Sequence, residues 1–470
     1  ENAAFYRTVY QGLIDYDEHN RKWVGTLAKS WKRLSNTATE FVLKDDVKWD
    51  NGDKFTADDV VATFAWAGDA KTRIRFKDRY DWVAKVEVLS PYKIIVHSKQ
   101  PNSGDFANLA YNLKIINKNA LDKLDDKYDY GKVSPVATGP YKVVSIDQNK
   151  GIVVERVENY HGDSDGYYRA PVKRVHGIPV PDRQTQVAKL LAGEVDLLRN
   201  ITQDDADAIK NVPNLAVTPT SSAMLLYVTM DAAGRSANKA FTDERVRKAF
   251  IMSIDRKNFV KGIVPAGNAA ELPRSICFKA TVSCEPTTDP VSYDPVAAKK
   301  LLAEAGYPNG IDFTLYAHQP VAYVATAIAG EVRKVGFRAN IEQMPIQVYV
   351  KKRGDGEFTA FTGFYPTSSN PSTSNILNFF FGADRDYWKD PMIQKTIADG
   401  ELEFDDAKRT KLYTPALDQV NKHAYIFPIS ELPVIWAHTK NVKVYPNPLS
   451  TGESRLGDYG WTDFKPKTYK

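Results

Sequence analysis

The spacing of apolar residues changes register repeatedly along this chain, and each change marks an element. Thr39-Glu-Phe-Val-Leu-Lys44 has strand composition, residues 47–53 hold a turn signal around Asn51-Gly52, and Thr56-Ala-Asp-Asp-Val-Val-Ala-Thr-Phe64 starts a helix with Thr56 as its cap. Val83-Ala-Lys-Val-Glu-Val88 and Lys93-Ile-Ile-Val-His97 bracket the turn Ser90-Pro91, which predicts a hairpin. The first hundred residues therefore read as α+β. After Ala137, the runs Thr138-Gly-Pro-Tyr-Lys-Val-Val144 and Gly151-Ile-Val-Val-Glu-Arg156 predict two more strands. A helix is expected over 182–191, ending at Gly193 and followed by Glu194-Val-Asp-Leu-Leu198. Asp312-Phe-Thr-Leu-Tyr-Ala317, a helical stretch over 321–335 and Phe337-Arg-Ala-Asn-Ile-Glu342 form a strand–helix–strand unit, which implies parallel pairing and a right-handed crossover. Several βα units in separate regions predict at least two α/β lobes.

The segment Tyr293-Asp-Pro-Val-Ala-Ala-Lys-Lys-Leu-Leu-Ala-Glu-Ala-Gly-Tyr-Pro308 reads as one complete helix. Asp294 can cap the free N–H groups of the first turn, and Pro295 suits the first helical position, where no N–H is needed. Val296, Leu301, Leu302 and Ala305 recur with helical spacing, while Gly306 and Pro308 supply the stop.

Composition narrows the class. At 470 residues the chain exceeds what one core supports, so two or three domains are expected. With 43% hydrophobic and 26% charged residues and no low-complexity tract, it is an ordinary globular composition. No apolar run reaches the roughly 18 to 20 residues of a membrane span, and the chain opens on Glu1-Asn-Ala-Ala rather than on a basic and then apolar signal. Any export signal is expected to have been removed. The formal charge is +5, but Lys and Arg are interleaved with Asp and Glu, so the concentrated basic patch of a nucleic-acid binder is missing and no nucleic-acid partner is expected. Cys277 and Cys284 are the only cysteines. They close an eight-residue loop, a local disulfide candidate worth roughly 2.5 kcal/mol by chain entropy and favouring an oxidising compartment. The alternative is two free thiols; a zinc site wants more ligands than lie nearby.

The search for chemistry is mostly negative. Neither a phosphate-cradling Gly-x-x-x-x-Gly-Lys loop nor a Gly-x-Gly-x-x-Gly turn is present, and neither Gly-x-Ser-x-Gly nor His-Glu-x-x-His appears. The histidines are scattered singly; His318, at the end of a predicted strand, is the strongest candidate for contact with a ligand. Adjacent carboxylates such as Asp58/Asp59 and Asp204/Asp205 read as caps or solvated faces, so no catalytic set, metal site or cofactor is expected. The unusual stretch is Gly363-Phe-Tyr-Pro-Thr-Ser-Ser-Asn-Pro-Ser-Thr-Ser-Asn375, hydroxyl-rich, flanked by aromatics and leading into Ile376-Leu-Asn-Phe-Phe-Phe381. It suits a small-molecule site, and equally a surface loop of turn formers.

These segments together resemble a family. Val9-Tyr-Gln-Gly-Leu-Ile-Asp-Tyr-Asp17, Leu27-Ala-Lys-Ser-Trp31, the run from Phe41 to Val60, Ala137-Thr-Gly-Pro-Tyr-Lys142, Glu155-Arg-Val-Glu-Asn-Tyr-His-Gly162, Leu191-Ala-Gly-Glu-Val-Asp-Leu197, Asp243-Glu-Arg-Val-Arg-Lys-Ala-Phe250 with Ile254-Asp-Arg256, and the helix after Tyr293 occur in the family's order. The chain resembles the extracytoplasmic solute-binding proteins of ABC importers, in the peptide/nickel-type family 5 (cluster C) that includes dipeptide-, oligopeptide- and nickel-binding proteins. The resemblance implies an α/β, two-lobed periplasmic-binding-protein fold of type II, closing by a hinge on a small-molecule solute, with an extra α+β domain inserted in lobe one. Lobe one would comprise residues 1–12, 137–222 and 439–470, the insertion 13–136, and lobe two 223–438. It further implies a monomeric periplasmic receptor that hands its solute to an ABC permease of the cytoplasmic membrane and catalyses nothing. The family normally carries a segment before the part matching Glu1, with the first strand of lobe one; either that segment is missing from this stretch or the first sheet lacks an edge.

By position in the family, solute contacts are expected from Asn2, Phe5 and Tyr6, from Asn108, Tyr111 and Asn112, from Ser221, Ser222, Met224 and Tyr227 near the crossing between lobes, and from His318, Phe364, Tyr365, Thr367, Ser368 and Asn370 in lobe two. In the peptide binders the loop matching 363–370 carries an aspartate that pairs with the peptide's amino terminus; Thr367 stands there in this chain. A buried ammonium without its carboxylate is costly, so a simple free-amine dipeptide is disfavoured. A peptide-like, opine-like, glycosidic or metal-chelate solute suits neutral hydroxyls better. Two other readings compete: a ligand-binding protein that reports to a chemoreceptor, and a peptide or glycoside hydrolase.

Overall fold

A computed structural model describes residues 3–17, 20–69, 71–72, 80–132, 135–162, 170–366, 372–445 and 459–461. The chain divides into two compact units, Glu1–Thr218 with Trp436–Lys470, and Pro219–Ile435.

In the first unit, strand composition and caps give the elements they predict. Ala28–Ser35, Ala38–Leu43, Lys93–Ser98 and Val83–Ser90 form a four-stranded antiparallel sheet in that order. Helix Ala57–Gly68 opens with a capping box: Thr56 Oγ1 accepts from the Asp58 N–H, and the Asp59 carboxylate accepts from the Thr56 N–H. Tyr141–Asp147, Gly151–Arg156 and Arg174–Gly177 form a second sheet. Helix Arg183–Leu191 starts at Asp182, whose carboxylate accepts from the Thr185 N–H at 2.7 Å, and Gly193 takes a left-handed φ of 72° after it. The next strand, Leu197–Arg199, begins later than the pattern suggests, because the 193–196 turn uses up the first polar residues. Among the described residues no helix is long and apolar enough to cross a membrane.

The second unit is built on a five-stranded mixed sheet. Its order is Phe337–Met344, Ile311–His318, Ala360–Pro366, Met224–Met230, Ile426–Glu431. Ile311–His318 and Phe337–Met344 pair in parallel through helix Ala322–Arg333, as the strand–helix–strand pattern requires. Ile311–His318 is also parallel to Ala360–Pro366, so His318, Met344 and Pro366 share the carboxyl edge of the sheet, where open α/β sheets take their ligands. Phe241, Phe250, Phe313 and Phe337 meet in the core with ring centroids 5.2–6.2 Å apart.

Helix Pro295–Glu304 is capped as the sequence demands: Asp294 accepts from the Ala297 N–H at 2.9 Å, and Gly306 leaves the helix at φ 96°. Leu302 is buried and Leu301 and Ala305 pack against the core as expected, and only Val296 departs from the expected face. Ala298 and Leu302 are buried and Val296 is 80% exposed, because the neighbouring helix Glu244–Met252 packs along the 298/302 stripe, a tertiary choice that periodicity alone does not make. Leu302→Ala is expected to cost about 3 kcal/mol and Val296→Ser to stay within about 0.5 kcal/mol, measured as midpoint shifts in urea unfolding.

Candidate functional site

Two groups of candidate residues form, one inside each unit. In the first unit, helix Ala3–Val9 carries Phe5 and Tyr6 on different sides. Phe5 is half-buried and packs against the cluster of Val9, Tyr141 and Val154, with its ring against Gly177. Tyr6 stays 42% exposed and meets Tyr10 with tilted rings whose centroids are 5.5 Å apart. Asn108–Asn112 form a π-helical turn in which the Leu113 N–H bonds the Asn108 carbonyl at 3.0 Å, and this wide turn brings Asn112 Nδ2 to Asn108 Oδ1 at 3.0 Å. The Arg7 guanidinium covers the buried Tyr111 ring at 4.7 Å. Tyr6 and Asn112 meet Tyr10, Trp66, Lys114 and Tyr130 around a cavity of about 380 Å³. The buried Tyr10 hydroxyl makes no hydrogen bond there, and burial pushes its pKa up.

In the second unit His318 and Phe364, toward the carboxyl end of their strands, meet Tyr349, and Arg353 and Tyr227 lie beside Tyr349. The His318 ring lies 5.1 Å from Tyr349 and 5.2 Å from Phe364. Burial and the nearby Arg353 charge both push the His318 pKa down, and its buried Nδ1 has no hydrogen-bond partner. Tyr349 and Arg353 lie one turn apart on helix Ile346–Asp355 and both turn inward. Tyr349 donates to the Thr362 carbonyl at 2.9 Å. Arg353 is only 8% exposed, its Nε makes no hydrogen bond, and its guanidinium lies over the Phe379 ring at 5.2 Å. Arg385 covers the same ring at 5.5 Å, and both charges oppose the rise that burial imposes on the Tyr227 hydroxyl. Among the described residues no carboxylate pairs with either arginine; Asp384 turns its Oδ2 toward Gly354. A buried guanidinium costs several kcal/mol unless an anion joins it, and its planar fork fits a carboxylate through two hydrogen bonds.

The other candidates have different duties. Tyr227 is 1% exposed and edge-on to Phe380 at 4.9 Å, so it supports the cluster from beneath. Tyr365 is 2% exposed and its hydroxyl accepts from Asn375 Nδ2 at 2.8 Å, which makes it packing rather than an open contact. Met224 pairs with Pro366 in the sheet. Ser221 donates to Glu431 Oε2 at 2.5 Å and Ser222 to the Leu432 carbonyl at 2.5 Å, tying together the two segments that connect this unit to the rest of the chain. Asn2, Thr367, Ser368 and Asn370 lie outside the described residues. The expected Cys277–Cys284 disulfide is formed. No group of three or more His, Cys, Asp or Glu side chains among the described residues could hold a metal ion.

Sequence reading missed Arg353, Arg385, Phe379 and Glu431. The one available signal was the spacing of Tyr349 and Arg353, which places the arginine on the buried side of its helix. Burial pushes the Glu431 carboxyl to about 7, helped by Glu271 and opposed by the Ser221 hydrogen bond. Its folded pKa stands above the ordinary 4.5, so the stability it contributes is complete below that value and is lost as pH rises through about 7. Glu431→Gln is expected to flatten this part of the stability profile between those two pH values in denaturant melts; an unchanged profile would contradict the assignment.

Residues 22–388 match the family described as bacterial extracellular solute-binding proteins, family 5. The glutathione-binding protein GsiB of Shigella flexneri is 26% identical over 464 residues, covering 94% of this chain and 86% of that protein. Among solved structures, HbpA2 from Haemophilus parasuis is similar with a TM-score of 0.81 and 21% identity over 97% of this chain and 94% of that one. DppA from Helicobacter pylori in complex with the peptide STSA has a TM-score of 0.68 and 21% identity, covering the same shares. The expected mixed α/β, two-lobed fold is therefore the one observed, and the family is one of binding proteins rather than enzymes. The chain belongs to the family 5 bacterial extracellular solute-binding proteins.

Proposed function

We propose that this chain is the periplasmic receptor of an ABC importer for a peptide-like or opine-like solute that presents a carboxylate to Arg353. Family membership supports the class of receptor, and the buried Arg353 guanidinium, whose Nε makes no hydrogen bond and which has no carboxylate partner among the described residues, carries the solute reading. The anion supplies what the second unit lacks. The half-buried Phe364 and Phe379 offer flat apolar contact beside it, and His318, kept neutral by burial and by the Arg353 charge, can accept or donate one hydrogen bond without adding a second positive charge. A neutral glycoside would leave the guanidinium unmatched. The absence of an aspartate at 367 continues to disfavour a simple dipeptide held by its free amine, and residues 1–12, 137–222 and 439–470, 13–136, and 223–438 remain the proposed lobe one, insertion and lobe two. The receptor works as a monomer that delivers solute to the permease.

Isothermal titration with a panel of dipeptides, tripeptides, opines and oligosaccharides tests this. A carboxylate-bearing opine or modified peptide is expected to bind, and Arg353→Gln to lose about 100-fold of that affinity, in line with roughly 2 to 4 kcal/mol for an unpaired charge at a buried pair. Tight binding of an unmodified dipeptide or a neutral oligosaccharide, or unchanged affinity in Arg353→Gln, would overturn the solute reading. Arg353→Gln should keep its fold, because it removes a buried charge and retains the apolar Cβ–Cγ stem of the side chain.

A further inference from the structure

The Cys277–Cys284 disulfide sits beside the hydroxyl-rich segment, not in it. Both cysteines are buried, with Cα atoms 5.9 Å apart. Inside the loop they close, the Phe278 carbonyl accepts the Thr281 N–H at 2.8 Å, and Ser283 is held at φ 61°, a left-handed conformation unfavourable for a residue other than glycine. The product is a bracket that presents the Val282 carbonyl to Thr373. That carbonyl accepts both the N–H of Thr373, at 3.2 Å, and its Oγ1, at 2.9 Å, while Val282 and Ser372 form an isolated parallel bridge. Thr373 is fully buried and opens helix Thr373–Phe381, with Ser372 as its cap. This helix carries Asn375, which bonds Tyr365, and Phe379, on which Arg353 and Arg385 lie. At the other end of the segment, Pro366 is fixed by pairing with Met224.

We infer that the Cys277–Cys284 disulfide is a positioning element of the solute site: it holds the Val282 carbonyl where Ser372 and Thr373 dock, and so sets the helix that carries Phe379 and the carboxyl end of the hydroxyl-rich segment. The bond touches no solute. It acts through Val282 and Thr373, which makes the site sensitive to thiol–disulfide chemistry while the sheet beneath it is not. The consequence for affinity rests on the proposed carboxylate site; the positioning itself does not.

Hydrogen exchange on the solute-free protein separates the two. In a Cys277→Ala/Cys284→Ala variant, backbone amides over 373–379 are expected to exchange about tenfold faster or more, while those of Ile311–His318 and Phe337–Met344 stay within about twofold. Thr373→Val, which keeps the disulfide and removes one of the two bonds to Val282, should loosen the same amides by a smaller factor, and it answers the question if the alanine pair fails to fold. No change over 373–379 in either variant, or an equal rise throughout the second unit, would overturn the inference. Local loosening together with titrations in which Arg353→Gln binds normally would leave the bracket standing and remove the carboxylate reading.

Discussion

Tyr227 and Gly363 face each other across the antiparallel pair Met224–Met230 and Ala360–Pro366, and the rest of the site depends on that meeting. A Cβ on residue 363 would come within 2.6 Å of the Tyr227 hydroxyl, so only glycine lets the ring lie against the neighbouring strand. With the ring there, Phe380 packs against it edge-on and seats helix Thr373–Phe381 on the sheet. The hydroxyl ends among Tyr349, Arg353 and Arg385. One missing side-chain atom thus fixes a tyrosine, the tyrosine fixes a helix, and the helix presents the ring on which two guanidinium groups rest.

The resulting electrostatics are unbalanced by design of the packing, not by accident of a loop. Two arginines share Phe379, the histidine next to them is kept neutral, and no acidic side chain among the described residues pairs with either guanidinium. Cation–π contact recovers part of the hydration lost on burial, at best about 2 kcal/mol for a desolvated pair, which is less than a paired anion would supply. The gap between those two quantities is what makes an anionic group on a solute discriminating: it settles a charge the fold leaves open.

Much of the fold was legible because its signals are local. Thr56, Asp182 and Asp294 each cap the helix they were expected to start, and the strand–helix–strand unit after Asp312 pairs in parallel as its alternation requires. Which face of a helix is buried was less legible: Ala298 and Leu302 face the core while Val296 does not, since the neighbouring helix decides. Arg353 was hidden for the same reason. It closes the basic run Lys351-Lys352-Arg353, whose first two members do lie on the solvated face, Lys351 on Asp355 and Lys352 on Glu342 and Glu357, and only the third turns inward beside Tyr349. The family resemblance named His318 and Phe364, but a charge supplied from the helix between those strands has no signature in either strand.

The most direct measurement is the electron density of whatever solute copurifies with the protein, read together with its mass. The account predicts a carboxylate-bearing molecule with an oxygen within hydrogen-bond distance of the Arg353 guanidinium and its body against Phe364. A solute without an anionic group, or one whose anion lies away from Arg353, would contradict it.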